Sequence, residues 1–207
     1  SILLNEIRSN AFRRISQTLI YLPHFLSWII LAGIMIDLLS PNGGLVNRFL
    51  GLFGAEPIFF LGSNKWFRFT LVFTDVWKEF GFGTIVYLAA ITNIDPTQYE
   101  AATIDGANRF QRIMHVTLPN MRMIIVLMMV LSLGNVLNAG FDQVYNMYSE
   151  AVYPTGDILD TFIYRLNFKN GLWGQSAAVS MFKSVVSTLF ISVSYLCAYK
   201  FADYRVF

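Results

Sequence analysis

Residues 15–36 run for 22 positions without a charged side chain. A helix rises about 1.5 Å per residue, so a run of this length matches the roughly 30 Å apolar interior of a bilayer. Arg13 and Arg14 stand before it, and Tyr21 and Trp28 lie within it. Pro23 also lies inside, at a place where it either kinks the helix or marks its true start. Three further stretches have the same character. Residues 67–93 are interrupted near the middle by Asp75, Lys78 and Glu79, residues 123–141 carry no charge, and residues 175–200 contain only Lys183 before Lys200. Spans over about 15–39, 67–93, 120–141 and 175–200 therefore predict an all-α fold, a polytopic transmembrane helical bundle in one membrane domain covering 1–207. The composition agrees, with 55% hydrophobic and 14% charged side chains, which excludes a disordered chain.

Charge placement orients the spans, because Lys and Arg concentrate on the cytoplasmic side of membrane proteins. Arg8, Arg13, Arg14, Arg109, Arg112, Arg122, Lys200 and Arg205 fall near the two ends and in the loop between the second and third spans. The opposite loops hold Arg48, Lys65, Arg68, Arg165 and Lys169. This excess places both termini and the 95–122 loop in the cytoplasm. The acidic residues Asp142, Glu150, Asp157 and Asp160 then face outward. A net charge of +2 gives no basic stripe for nucleic acid. The single Cys197 excludes an intramolecular disulfide. His24 and His115 are too few and too far apart for a metal site, and no HExxH, GxSxG or phosphate-cradling loop occurs.

The polar loop over 95–119 reads as a helix, a break and a second helix. Asp95 is placed as an N-cap with Pro96 at the first helical position and Gln98 as its capping-box partner. Gly106 ends or bends that helix. Asn108 caps a second one, on which Phe110, Ile113 and Met114 form one apolar face, and Pro119 closes it and opens the next span. Two short helices at an angle make either a solvated interfacial loop or a knob for a partner's groove.

The order Glu100-Ala101-Ala102, three residues, Gly106, nine residues, Val116-Thr117-Leu118-Pro119 resembles the EAA loop of binding-protein-dependent ATP-binding-cassette importer permeases. Val116 replaces the commoner Ile. The resemblance extends to Leu22-Pro23, Trp77-Lys78-Glu79 with Gly81, Tyr87-Leu88-Ala89-Ala90 and Ile104-Asp105-Gly106-Ala107, which are similar to the carbohydrate branch. Residues 135–165 resemble a subgroup serving oligosaccharides or polysaccharide fragments. The resemblance implies a type I importer permease fold, of whose usual six spans about four are present, so Ser1 is expected to begin part-way along a longer protein. It implies that Glu100, Ala101, Ala102, Gly106, Leu118 and Pro119 couple to an ATPase subunit. Leu118 and Pro119 are more simply read as a plain anchor for the following helix. It also implies a second homologous permease subunit, two ATPase subunits that hold ATP and Mg, an extracytoplasmic solute-binding protein and a bacterial inner-membrane location. This chain itself is expected to bind no cofactor and to catalyse no reaction.

Polar residues within the spans are pathway candidates, since intramembrane charges usually face a bundle interior or a wet cavity. Asp75, Lys78 and Glu79 stand at i, i+3 and i+4, so that Lys78 can pair with Asp75. Asn135, Asn138 and Asp142 follow one helical face, with Tyr145 nearby, and amides beside a ring suit a sugar. Helix packing is the alternative for both sets, and the stronger one for Asp75, Lys78 and Glu79. Two rival functions use Asp75 and Glu79: an intramembrane acid–base enzyme, and an ion-coupled secondary transporter.

Overall fold

The computed structural model describes residues 1–5, 7 and 9–202, and every regular element among them is helical. Of the orienting basic residues, Arg8 and Arg205 lie outside the described residues, as does the Lys200 side chain. Helix α1 (Ile2–Asn5) is one turn, and α2 (Asn10–Tyr21) enters the first apolar run. Pro23 then decides how that run folds. It has no N–H for the Leu19 carbonyl and its ring crowds that carbonyl, so the α-helix stops and a 3₁₀ turn takes over at Leu22–Phe25. Ser27 accepts from the Ile30 N–H at 3.3 Å and starts α3 (Trp28–Leu39). The expected single helix over 15–39 is thus two 12-residue helices, each about 18 Å long.

Helix α4 (Leu45–Gly51) is the short piece within the 40–66 loop. Helix α5 (Phe67–Thr92) runs 26 residues, about 39 Å, straight through its three central charges. Next come α6 (Pro96–Ile104) and α7 (Arg109–Arg112), then a π-turn at Ile113–Thr117 that leads into α8 (Leu118–Gly134). Pro119 therefore does not close a helix. The Leu118 N–H reaches back five residues to the Ile113 carbonyl, and this wider turn lets Arg109–Gly134 continue as one 26-residue apolar helix through the proline. The third expected span also ends early, because Asn135 terminates α8 and Gly140 adopts φ +70 before α9 (Phe141–Met147). A 3₁₀ turn (Glu150–Val152), α10 (Tyr153–Gly156), α11 (Leu159–Tyr164) and a π-turn (Arg165–Lys169) lead to α12 (Trp173–Ala202). Arg109–Gly134 and Trp173–Leu196 are long and apolar enough to cross a membrane, and the broken pair before Ser40 makes a third span if its halves count as one.

The chain packs as two bodies. The first takes Ser1–Tyr21, Phe80–Asn135 and the chain from Thr188 onward. Its core joins Ile91, Ile94 and Met121, with Tyr87, Tyr99 and Val116 against them. Small residues bring backbones together here, as between helices in lipid. A Cβ on Gly81 would strike the Ile20 carbonyl, and one on Gly134 would sit 3.2 Å from Ile191. The second body takes Leu22–Glu79 and Val136–Ser187. There α3 packs on α4 and α9 around Ala32, Leu61, Phe67, Met147 and Val152. Phe67 is wholly buried, and its ring occupies the space that a side chain on Gly156 would need.

Candidate functional site

In the first body, α6 and the α7–π-turn segment form a knob whose parts are locally specified. Asp95 accepts from the Thr97 N–H at 2.9 Å, and this bond holds its carboxyl below the usual range. Gln98 does not complete a capping box; its side-chain oxygen instead accepts from Asn120 at 2.7 Å. At the other end of α6, Gly106 takes φ +78, the Gly106 N–H bonds the Thr103 carbonyl and the Ala107 N–H bonds the Ala102 carbonyl. This pair of bonds is a Schellman turn, and it fixes the angle at which the chain leaves α6. Asn108 and Gln111 form a reciprocal capping box on α7, a partner for Asn108 that the spacing alone did not single out.

Three side-chain bonds tie the two arms of the knob together. Tyr99 Oη lies 2.9 Å from Thr117 Oγ1, Arg112 donates to Thr103 Oγ1 at 3.1 Å, and Asn120 donates to Gln98. Thr117 is buried within the π-turn, so the first bond joins α6 to the base of α8. Around this frame the surface is open. Glu100 and Ala101 are exposed, Ile104 is 86% exposed and Phe110 70% exposed. Tyr99, Glu100, Thr103, Ile104 and Arg112 line a recess of about 390 Å³. Leu118 is half-buried and Pro119 exposed at the start of α8.

The second body holds a cavity of about 580 Å³, and Asp75, Glu79 and Asn138 line it together. Lys78 is buried beside it and does not pair with Asp75. Its ammonium donates to Glu79 at 2.9 Å and to the His24 carbonyl at 3.1 Å, and it lies 5.3 Å from the centre of the Trp28 ring. His24 Nδ1 lies 2.8 Å from the other Glu79 oxygen. The 3₁₀ turn forced by Pro23 brings the His24 carbonyl and ring to this place, which helical spacing along α5 could not reveal. The other candidates lie apart from the cavity. Asn135 belongs to the first body and bonds back to the Leu131 carbonyl at 3.2 Å. Asp142 and Tyr145 are on α9 outside the cavity lining, and Tyr145 joins a cluster of rings with Phe141 and Tyr164. The shared face expected of Asn135, Asn138 and Asp142 does not form, because the helix ends between them.

Sequence patterning missed Trp28, Arg68, Gln143 and Thr155 on the cavity wall. Gln143 is buried and donates to the Leu71 carbonyl and to Thr74 Oγ1, each at 2.8 Å, and so clamps α9 to α5. Asp157 receives two hydrogen bonds from Arg165 and one from Thr161. Burial pushes its carboxyl up, but these bonds outweigh that and hold it below the ordinary carboxylate range. Asn138 also accepts from Lys183 at 2.8 Å, and Lys183 pairs with Asp160 at 2.6 Å. No group of three metal-ligating side chains occurs among the described residues.

A family model described as "Binding-protein-dependent transport system inner membrane component" matches residues 2–206. The polygalacturonan/rhamnogalacturonan transport system permease protein YteP of Bacillus subtilis is 39% identical over all 207 residues, and the chain spans 64% of that relative's length. A bacterial ABC transporter involved in the import of the acidic polysaccharide alginate contains a chain that superposes with a TM-score of 0.94 at 37% identity, over 97% of this chain and 70% of that one. The alginate transporter in complex with its alginate pentasaccharide-bound periplasmic protein gives 0.93 at 37% identity, over 96% of this chain and 69% of that one.

Proposed function

The chain belongs to the binding-protein-dependent transport system inner membrane component family, and from that premise we propose that it is part of the permease subunit of an ATP-driven importer for an oligosaccharide. The observation that carries this reading is the knob. A polypeptide surface that exposes Ile104 and Phe110 around Glu100, yet is cross-braced by Tyr99, Arg112 and Gln98, suits docking into a partner better than solvation. Its base is continuous with the apolar helix Arg109–Gly134, so a push on the knob is delivered to a membrane helix with no flexible linker between.

In this reading the partner is an ATPase subunit, which holds ATP and Mg. Ala101 and Ala102 allow close approach, Glu100 bonds within the partner's cleft, and Gly106 sets the angle of the arms. Leu118 and Pro119 transmit the motion into α8. A second permease subunit, a second ATPase subunit and an extracytoplasmic solute-binding protein complete the assembly, with the 95–119 loop and both ends of this stretch of chain in the cytoplasm. The alginate system, crystallised with its periplasmic protein, supports the binding-protein partner. The cavity with Asp75, Glu79 and Asn138 belongs to the solute pathway. Glu79 already bonds Lys78 and His24, which counts against its own part in the acid–base enzyme or the ion-coupled transporter. The test is a photo-crosslinking side chain at Ile104 or Phe110 in the full-length subunit, co-expressed with its ATPase. Crosslinking to the ATPase that Glu100→Arg abolishes is the expected result. Crosslinking only to lipid, with no ATPase captured, would remove the basis of the proposal.

A further inference from the structure

The second body also carries a groove of about 460 Å³ that shares no lining residue with the solute cavity. Leu38 and Leu39 of α3, Val46 of α4 and Phe69, Phe73 and Trp77 of α5 form its walls. Thr70 and Thr74 also line it, but their hydroxyls donate to the Trp66 and Thr70 carbonyls, at 2.9 and 2.8 Å, so neither brings the groove a free donor. Phe69 and Phe73 are 62% and 61% exposed, so the groove opens onto whatever surrounds the protein. A slot this apolar does not hold water, and in a membrane protein that leaves a lipid tail or another helix. From Phe69 to Trp77 it follows α5 for about 12 Å. A helix with its side chains is about 10 Å across, so that length of helix fills roughly 900 Å³, far more than the groove offers. One hydrocarbon chain is narrow enough.

The residues beside the groove are those of the headgroup level. Trp66 packs edge-on against Phe60 and Phe69, at 5.8 and 6.2 Å between ring centres, and Phe60 is itself a wall residue. Lys65 Nζ stands 6.0 Å from the centre of the Trp66 ring. Trp concentrates at the membrane–water boundary, and a basic side chain there attracts anionic lipid. Helix α4 gives a second, independent sign. Along it and just beyond it, Leu45, Phe49, Leu52 and Phe53 are between 60% and 81% exposed, and Phe49 meets Phe53 edge-on at 5.2 Å. Large apolar side chains displayed together in this way lie against hydrocarbon, so the bilayer surface reaches α4 and the mouth of the groove with it.

We infer that this groove is a binding site for an anionic phospholipid, with one acyl chain between α3 and α5 and the headgroup phosphate at Lys65. The acyl chain fills the gap that the side chains of α3 and α5 leave between them, and Trp66 stands at the level where tail gives way to headgroup. The site depends on the chain's place in a bilayer and not on coupling to an ATPase, so it stands or falls separately from the importer reading.

Native mass spectrometry counts the lipids held by the full-length subunit, purified with the subunits that accompany it and titrated with phosphatidylglycerol or with phosphatidylcholine of the same acyl chains. Wild type should retain a single phosphatidylglycerol per copy of the subunit, about fivefold more tightly than phosphatidylcholine. Leu38→Trp from α3 and Val46→Trp from α4 each fill the groove, so a failure of one variant to assemble leaves the other. Each assembled variant should weaken both lipids roughly tenfold. Lys65→Glu should weaken phosphatidylglycerol roughly tenfold and abolish its advantage, and Lys65→Arg should keep it. A groove-filling variant that binds lipid as wild type does, or a Lys65→Glu variant that still prefers phosphatidylglycerol, would overturn the inference. So would a wild-type assembly that retains no lipid, the result expected if a helix of the full-length assembly covers the groove.

Discussion

Gly106 offers a substitution whose effect can be worked out from backbone geometry. Its φ of +78 lies in the left-handed region, and a Cβ placed there meets no atom within 4 Å. Gly106→Ala therefore introduces conformational strain without a steric clash, at about 1–2 kcal/mol. That cost lowers the population of the closed Schellman turn by roughly 5–30-fold. Asn tolerates this region better, so Gly106→Asn should recover much of the loss. Gly106→Pro fixes φ near −65 and removes the N–H that bonds the Thr103 carbonyl at 3.1 Å, so it should cost about 3 kcal/mol or more. The assay is twofold. Amide exchange at Ala107, whose N–H bonds the Ala102 carbonyl at 2.9 Å, reports the turn, and solute moved per ATP hydrolysed in proteoliposomes reports coupling. The expected order in both is Gly, then Asn, then Ala, then Pro. If Ala equals Pro, or if Asn is no better than Ala, the backbone argument is wrong. If exchange follows the order and coupling does not, the turn has no part in transmission.

Other residues give equally direct expectations. Tyr99→Phe removes the bond to buried Thr117 and should cost about 1–3 kcal/mol of local stability, read as faster exchange across α6 with thermal unfolding of the second body unchanged. Gly156→Ala drives a methyl group into the Phe67 ring and should destabilise the second body by about 1–3 kcal/mol, lowering its unfolding midpoint in detergent, and Phe67→Leu should restore part of this. Asp157 has a carboxyl pKa lower in the folded chain than in the unfolded one. Its contribution is therefore complete above the unfolded value of about 4 and is lost as pH falls through the lower folded value. Arg165→Met reverses that sign, because a half-buried carboxylate without its partner favours the proton. The variant should be destabilised near neutral pH and gain relative to wild type as pH drops toward 4.

Features encoded over a few residues were legible in the sequence. Asp95 before Pro96, Gly106 after α6 and Asn108 before α7 each carry their own capping chemistry, and each occupies the position that chemistry implies. Long charge-free runs likewise became long helices in Arg109–Gly134 and α12. Features that depend on distant parts of the chain were not legible. A proline inside an apolar run gives the same local signal at Pro23, where a helix ends, as at Pro119, where a π-turn absorbs it. Lys78 looked like a partner for Asp75 because helical spacing is all that neighbouring residues reveal. Its actual partners are the neighbouring Glu79 and the His24 carbonyl, the latter more than fifty positions away. The cavity shows the same limit: Arg68, Gln143 and Thr155 carry no periodic signal, and they converge only once α9 and α10 pack against α5.

In the proposed function the 95–119 knob converts ATP hydrolysis on a partner into movement of a saccharide through this chain. The most direct test measures oligosaccharide uptake and ATP hydrolysis together in proteoliposomes holding the full-length assembly, with wild type beside Glu100→Arg. Wild-type uptake that needs both ATP and the ATPase subunits, and a variant that assembles but takes up little per ATP hydrolysed, is the predicted result. Undiminished uptake without any ATPase subunit, or a variant that couples as well as wild type, would contradict it.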